Sequence, residues 1–303
     1  MKLFSSTSTN LTQISEKPFK LEKEIQNITE ANMELIFNLE FVDSEFSLSN
    51  FRIDSLAFDS ELNSFVIIEY KNTKNFSVID QGYSYLSLLL NNKAEFVLRY
   101  NELKNKNLKK DSIDWSQSKV IFVSPSYTVY QKESINFKDL PIELWEIKQF
   151  VNNTVMYLPI KANKTTESIN TITSADNTIT AVNQEVKTYT EEEHYLYLPE
   201  NMRELYDNLK SEILNLGEIN IKPTSYYVAF VGKKNVVCIT TRKNKLVACI
   251  NLKFTEIEDY KKQVRDVSKI GHNGTGECEY SLDNIQDLDY LMTLIKQSYA
   301  KNG

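Results

Sequence analysis

Apolar and polar positions change period several times along this chain, and each change marks an element. Residues 21–39, LEKEIQNITEANMELIFNL, place Leu21, Ile25, Ile28, Met33 and Ile36 at roughly helical spacing, which predicts one amphipathic helix. Residues 51–71, FRIDSLAFDSELNSFVIIEYK, contain two apolar, β-branched and aromatic runs joined by a short polar turn, a hairpin pattern. VIDQGYSYLSLLLNN predicts a second amphipathic helix. EFVLRY and KVIFVS read as strands around a lysine-rich loop, and PIELWEIKQF as a further strand. Strand–helix–strand order needs a crossover, so the expected fold is α/β with a mixed sheet flanked by helices.

Residues 161–190 break the pattern. Fourteen of these thirty residues are Ser, Thr or Asn, and no aromatic occurs before Tyr189. The stretch reads as a linker, with enough Thr/Ile alternation for a loose strand. Beyond it, ENMRELYDNLKSEILNL predicts a helix closed by Gly217. SYYVAFV, NVVCITT and LVACINL predict short strands, the first two joined as a hairpin through GKKN. A loop holding SKIGHNGTGE leads to a last helix, NIQDLDYLMTLIKQSYA. The expected organisation is a domain over 1–160, a linker over 161–190 and a smaller α+β domain with antiparallel strands over 191–303, in keeping with a chain of 303 residues.

Charge changes the picture by exclusion. Residues 1–160 hold 17 Lys and Arg against 21 Asp and Glu, and residues 191–303 hold 15 against 17. Neither half is a basic nucleic-acid glove, so any DNA contact must come from a local patch and weaken steeply with salt. Lys104, Lys106, Lys109 and Lys110, in LKNKNLKK, form the densest such patch; a solvated loop explains them equally well. The longest apolar runs fall far short of the ~20 residues of a membrane span, and the N-terminus lacks a signal peptide's apolar core. Cys238, Cys249 and Cys278 show no ligand spacing, which fits a reducing cytoplasm.

The hairpin carries the chemistry. Ile67, Glu69 and Lys71 share one face of the second run, and Asp54, Leu56 and Phe58 share one face of the first. If the turn is Ser60–Asn63, Asp59 pairs with Ser64 and Asp54 lies opposite Glu69, with β-carbons about 4.5–5.5 Å apart. A turn slipped by one residue would break the arrangement. Two carboxylates so close repel unless a cation sits between them. A hard divalent ion such as Mg²⁺ takes one or two carboxylates and leaves room for a phosphate. Glu-x-Lys by itself means little, because Glu102, Glu146 and Glu185 also precede a lysine by two. A structural ion cluster at a strand end is the competing account.

RIDSLAFD, FVIIEYK and VIDQGYSYL together resemble the PD-(D/E)XK nuclease superfamily, with its restriction-endonuclease-like fold, over roughly residues 20–150. The resemblance implies a DNA endonuclease dependent on Mg²⁺ or Mn²⁺, acting in defence or repair. It implies that Asp54 and Glu69 hold the metal and that Lys71 orients or activates the attacking water. It further implies a helix-borne Glu that reaches the metal or its water, matched best by Glu22, with Glu24 as the alternative. The helix Gln is matched by Gln81, with Tyr85 one turn on. Arg52 lies two residues before Asp54 and either pairs with an acid or touches phosphate. The proline of the family name is replaced by Ile53. Many nucleases of this fold act as homodimers, an analogy only. A non-catalytic module that binds nucleic acid or protein, with the second domain as its sensor, is the alternative function. The second domain resembles an uncharacterised module that often accompanies such nucleases and carries a loose transport-protein label; nothing in this chain supports transport.

Two histidines complete the inventory. His272, in GHNGTGE, sits in glycine-rich backbone that either cradles an anion or makes a tight loop, with Arg265 and Asp266 as a local ion pair. His194 reads as a surface residue before a helix.

Overall fold

The computed structural model describes residues 2–48, 51–73, 76–137, 139–161, 167–169 and 177–303. The chain forms two compact units, Met1–Thr188 and Tyr189–Gly303.

The first unit opens with a largely exposed hairpin, β1 (Leu3–Thr7) and β2 (Asn10–Ile14), and a short strand, β3 (Glu16–Lys17). Helices α1 (Glu22–Glu30) and α2 (Met33–Phe37) follow. The single helix expected over 21–39 is therefore two. Asn32 separates them, its side-chain amide donating back to the Ile28 carbonyl at 2.8 Å, a local bond that competes with helix continuation. Then come β4 (Glu40–Leu48), β5 (Phe51–Asp59), β6 (Ser64–Tyr70), α3 (Val78–Asn91) and α4 (Lys93–Lys104). After these lie β7 (Lys119–Ser124), α5 (Val129–Ser134), β8 (Ile142–Phe150), β9 (Val155–Ile160) and α6 (Asn177–Glu185).

Seven strands make one mixed sheet in the order β3-β8-β7-β6-β5-β4, with β9 paired to β8. β6 runs antiparallel to β5 and parallel to β7, which in turn runs parallel to β8. Every residue of β6 is buried, as a strand covered on both faces requires. One face packs Leu56, Phe58, Phe65, Ile67 and Phe122 against Leu86, Leu89, Phe96 and Tyr100 of α3 and α4. The other packs Ala57, Val66, Ile68 and Tyr70 against Ile25 and Met33 of α1 and α2. The expected fold class is the observed one: a mixed sheet flanked by helices, followed by a smaller α+β unit.

Two differences concern elements. EFVLRY lies within α4 and is not a strand, because Phe96, Val97 and Tyr100 are buried while Leu98 is 53% exposed. That is helical phasing, which a six-residue window does not separate from a strand. The stretch read as a linker contains α6, whose Ile179 and Val182, with Val186, join the first unit's core. Burying each such side chain contributes roughly 1.5–3 kcal/mol. The Tyr83 hydroxyl donates to Asn183 Oδ1 at 2.9 Å, and the Lys187 N–H donates to the Ser116 carbonyl at 3.0 Å. Residues 162–166 and 170–176 of that stretch lie outside the described residues.

The second unit begins with α7 (Glu191–Tyr195) and α8 (Glu200–Leu214). Strands β10 (Asn220–Pro223), β11 (Val228–Val231), β12 (Asn235–Arg242), β13 (Lys245–Ile250), β14 (Arg265–Asp266) and β15 (Cys278–Leu282) come next, and α9 (Leu288–Asn302) closes the chain. The strands form an antiparallel sheet in the order β10-β11-β12-β13-β15-β14. Leu205, Leu209 and Ile213 of α8 and Leu291, Leu294 and Ile295 of α9 cover one face. On the other face Cys238 and Cys249 are directly opposite each other, and the glycine-rich loop packs onto them. His194 is buried, contrary to its surface reading, with Nε2 2.7 Å from the Thr224 carbonyl oxygen. Arg265 pairs with Glu279 at 3.0 Å rather than with its neighbour Asp266, since adjacent strand residues face opposite ways.

Candidate active site

The hairpin turn fixes where the acidic side chains fall. Asp59 Oδ1 accepts the N–H groups of Glu61 at 3.1 Å and Leu62 at 2.9 Å, and Asn63 takes a φ of 53°. Asp and Asn favour such turns because their short side chains bond nearby backbone and tolerate left-handed φ. Asp59 consequently pairs with Ser64, and the ladder runs in one register to Ser55 and Ile68. It stops one residue short of Asp54 and Glu69. There Asp54 Oδ2 accepts the Tyr70 N–H at 3.0 Å in place of a backbone acceptor. The two carboxylates thus sit side by side at the strand end.

Lys71 lies just beyond β6, its N–H donating to the Val123 carbonyl at 3.0 Å. Its ammonium donates to Glu69 Oε1 at 2.7 Å and stands 5.9 Å from the centre of the Phe76 ring. The pair is well buried, with side chains 15% and 5% exposed. The second Glu69 oxygen, Oε2, is buried without a well-formed hydrogen bond. The Tyr85 hydroxyl is a hydrogen-bonding neighbour of Glu69 and also reaches the Arg52 carbonyl at 3.4 Å.

Helix α1 closes this end of the sheet. Glu22 Oε1 accepts the Asn72 N–H at 2.8 Å, next to Lys71. Glu24 instead accepts the Lys20 N–H at 2.8 Å, so of the two candidates only Glu22 faces the site. Gln26 is 4% exposed and donates to the Asp54 carbonyl at 2.9 Å, to Glu30 at 2.9 Å and to Ser44 at 3.2 Å. No sequence signal singles out Gln26, since nothing in a helical pattern marks a polar side chain as buried. Gln81 lies one turn before Tyr85 on α3, and its Oε1 is buried without a hydrogen-bond partner.

The four lysines of LKNKNLKK do not join this group. Lys104 ends α4 and approaches Glu40 at 3.7 Å, and Lys106, Lys109 and Lys110 are exposed. Their loop meets the hairpin at its turn, where the Asp114 N–H donates to the Asn63 carbonyl at 2.9 Å. The turn is about 15 Å along the strands from Asp54 at ~3.3 Å per residue.

Burial raises the Asp54 pKa above the ordinary 3.8; the Tyr70 N–H and Lys71 oppose this, and the charges of Glu45 and Glu22 reinforce it. Burial and then the Asp54 charge raise Glu69 above 4.5, against the pull of Lys71. A carboxyl with a raised native pKa stabilises the fold below its unfolded pKa, and that contribution is lost as pH climbs through the native value. The two carboxylates are therefore a stability cost at neutral pH. Asp54→Asn keeps an oxygen for the Tyr70 N–H and removes one charge. It should raise Tm at pH 7.5 by about 2–4 °C, the shift roughly 1 kcal/mol produces in a unit of this size. The gain should shrink as pH falls towards 4. A thermal denaturation series across that range reads the difference; an Asp54→Asn protein no more stable than wild type at pH 7.5 would contradict it.

Among the described residues no group of three or more His, Cys, Asp or Glu side chains is arranged to hold a metal ion. Asp54 and Glu69 are a two-carboxylate set of hard oxygen donors, and Glu69 Oε2 is buried without a well-formed hydrogen bond. Such a set suits Mg²⁺ or Mn²⁺, which complete their shells with water and phosphate.

Residues 191–302 match the family described as "Domain of unknown function (DUF5655)". Among solved structures, a repair endonuclease from Pyrococcus abyssi matches 40% of this chain and 45% of its own, at 19% identity and a TM-score of 0.23. The protein of an EndoMS–double-stranded DNA complex matches 48% of this chain and 64% of its own, at 15% identity and 0.23. SfsA of Pyrococcus furiosus with Ca²⁺ matches 50% and 78%, at 10% identity and 0.26. The chain thus spans less than two thirds of the first two of these proteins. No helix among the described residues is long and apolar enough to cross a membrane. An uncharacterized protein of Haemophilus influenzae is 42% identical over 299 residues, which cover 98% of this chain and 99% of that one. The chain belongs to one family with that Haemophilus influenzae protein, in a shared arrangement that extends through both units.

Proposed function

We propose that this protein is a metal-dependent DNA endonuclease of the PD-(D/E)XK type, with Asp54, Glu69 and Lys71 as its catalytic residues. One observation carries the reading: two desolvated carboxylates and an ammonium meet at one strand end. Two like charges held out of water near each other are costly unless a cation offsets them, and one ammonium beside two carboxylates leaves room for a second cation.

Asp54 and Glu69 would hold Mg²⁺ or Mn²⁺, which would supply positive charge to the phosphate and acidify a water. Lys71, anchored on Glu69, places a second cation where negative charge grows on the phosphate in the transition state. Glu22 and Gln26 keep α1 and both strands in place around the carboxylates. Tyr85 fixes the Arg52 backbone from α3. Gln81 presents an amide oxygen one turn away, suited to orienting a water or the Lys71 ammonium.

Incubating the purified chain with supercoiled plasmid and a labelled duplex tests the proposal. Cleavage is expected with Mg²⁺ or Mn²⁺ and none with EDTA. Intact DNA under every metal condition would leave the binding-module alternative in its place.

A further inference from the structure

We propose that Lys23 and Arg52 form a phosphate-binding subsite beside Asp54, and that Glu45 is the internal anion which a DNA phosphate displaces from them. This rests on the nuclease reading and specifies where the substrate backbone lies.

Glu45 stands in the middle of β4 with a φ of 56°, a left-handed conformation rare for a residue with a β-carbon. Its neighbours keep register with β5, Ser44 opposite Ser55 and Phe46 opposite Ile53, so this kink, separate from the register shift between Phe41 and Asp43, falls at the position facing Asp54. Held strain of this kind persists where surrounding contacts impose it. Here those contacts are two cations from different elements. Glu45 Oε1 lies 3.0 Å from the Lys23 ammonium on α1, and Oε2 lies 2.9 Å from Arg52 Nε on β5.

The stoichiometry and placement point to a phosphate. One carboxylate serves two cations, so the cluster keeps a net positive charge in a unit that is acidic as a whole. Lys23 and Arg52 are the exposed members, with side chains 51% and 67% exposed, while Glu45 is 34% exposed. A phosphodiester presents one negative charge over two oxygens, as a carboxylate does, and replaces Glu45 charge for charge. Arg recognises such oxygen pairs through its planar fork of donors. The cluster is also tied to the catalytic strand. The Lys23 ammonium donates to Gln26 Oε1 at 3.0 Å, and Gln26 donates to the Asp54 carbonyl. On the other side the Tyr85 hydroxyl bonds the Arg52 carbonyl.

The test measures affinity of the full-length chain for a fluorescein-labelled duplex by anisotropy, with Ca²⁺ replacing Mg²⁺, from 50 to 200 mM KCl. Arg52→Gln and Lys23→Gln should each weaken binding by about 3–10-fold and flatten the log–log salt slope by about 0.9, one phosphate contact each. Glu45→Gln should tighten binding by a similar factor, because the phosphate no longer competes with a carboxylate. Thermal denaturation of each variant confirms that it is folded. Wild-type affinity and slope in both cation variants, or weaker binding by Glu45→Gln, would overturn the subsite even if the wild-type chain cuts DNA with Mg²⁺. A wild-type chain that neither binds nor cuts DNA overturns the subsite and the nuclease reading together.

Discussion

Glu69→Gln and Lys71→Met should each slow DNA cleavage by about 10²–10³-fold while the protein stays folded. The size follows from what each group faces. Lys71 is a desolvated cation held at 2.7 Å by Glu69, and charge aimed at a developing anion in such surroundings is worth several kcal/mol of barrier. The loss should fall on the single-turnover rate rather than on substrate affinity, because the interaction strengthens only as charge builds up. Glu69→Gln removes a charge that burial already disfavours, so folding should not suffer. Lys71→Met keeps the stem against Phe76 but leaves Glu69 without its cation, which shifts that carboxyl further towards its neutral form. Variants that cut at the wild-type rate under single-turnover conditions would remove this cluster from the reaction.

The second large effect is on stability and lies in the other unit. Gly276 has a φ of 100°, and a β-carbon there would sit 2.1 Å from the Ile250 carbonyl oxygen and 2.6 Å from the Asn251 Cα. Both obstacles are backbone at the end of a central strand, so neither can swing away. Gly276→Ala should cost about 3 kcal/mol or more, from overpacking and a strained backbone together, and should lower the melting temperature on the order of 10 °C. The same loop supplies its own control. A β-carbon on Gly271 would meet nothing within 4 Å, so Gly271→Ala should be neutral within about 0.5 kcal/mol. Equal melting temperatures for the two variants would refute the account. The glycines of this run serve close approach to the sheet. Gly274, with a φ of 107°, likewise leaves no room for a β-carbon beside Cys238. The sequence had left an anion cradle and a tight loop open at this run, and these contacts support the loop.

The hairpin was legible because its information is local. An Asp just before the turn and an Asn at its last position set the register, and period-two alternation then fixed which charges meet. Nothing comparable announced β4. In EFVDSEFSL polar and apolar residues mix without a clean period, since the strand is half-buried and carries a left-handed kink at Glu45. With the strand unread, Glu45 and its pairing with Lys23 could not be placed; Arg52 was expected to meet an acid or a phosphate, and the acid it meets is Glu45. Gln26 carried no signal and His194 read as exposed because burial of a polar side chain depends on partners distant in sequence, here the Asp54 and Thr224 carbonyls. The lysine loop, open in sequence between a DNA patch and a solvated loop, is exposed and lies at the turn end of the strands, a position that composition does not carry.

Helix α6 has a practical consequence for taking the protein apart. A fragment ended at Ile160, where composition suggests a boundary, would strip Ile179, Val182 and Val186 from the first unit. It would also leave the Tyr83 hydroxyl without Asn183. Such a fragment should be sticky and short-lived, whereas one carried through Thr188 retains its covering and is the piece on which to ask whether the first unit acts on DNA alone.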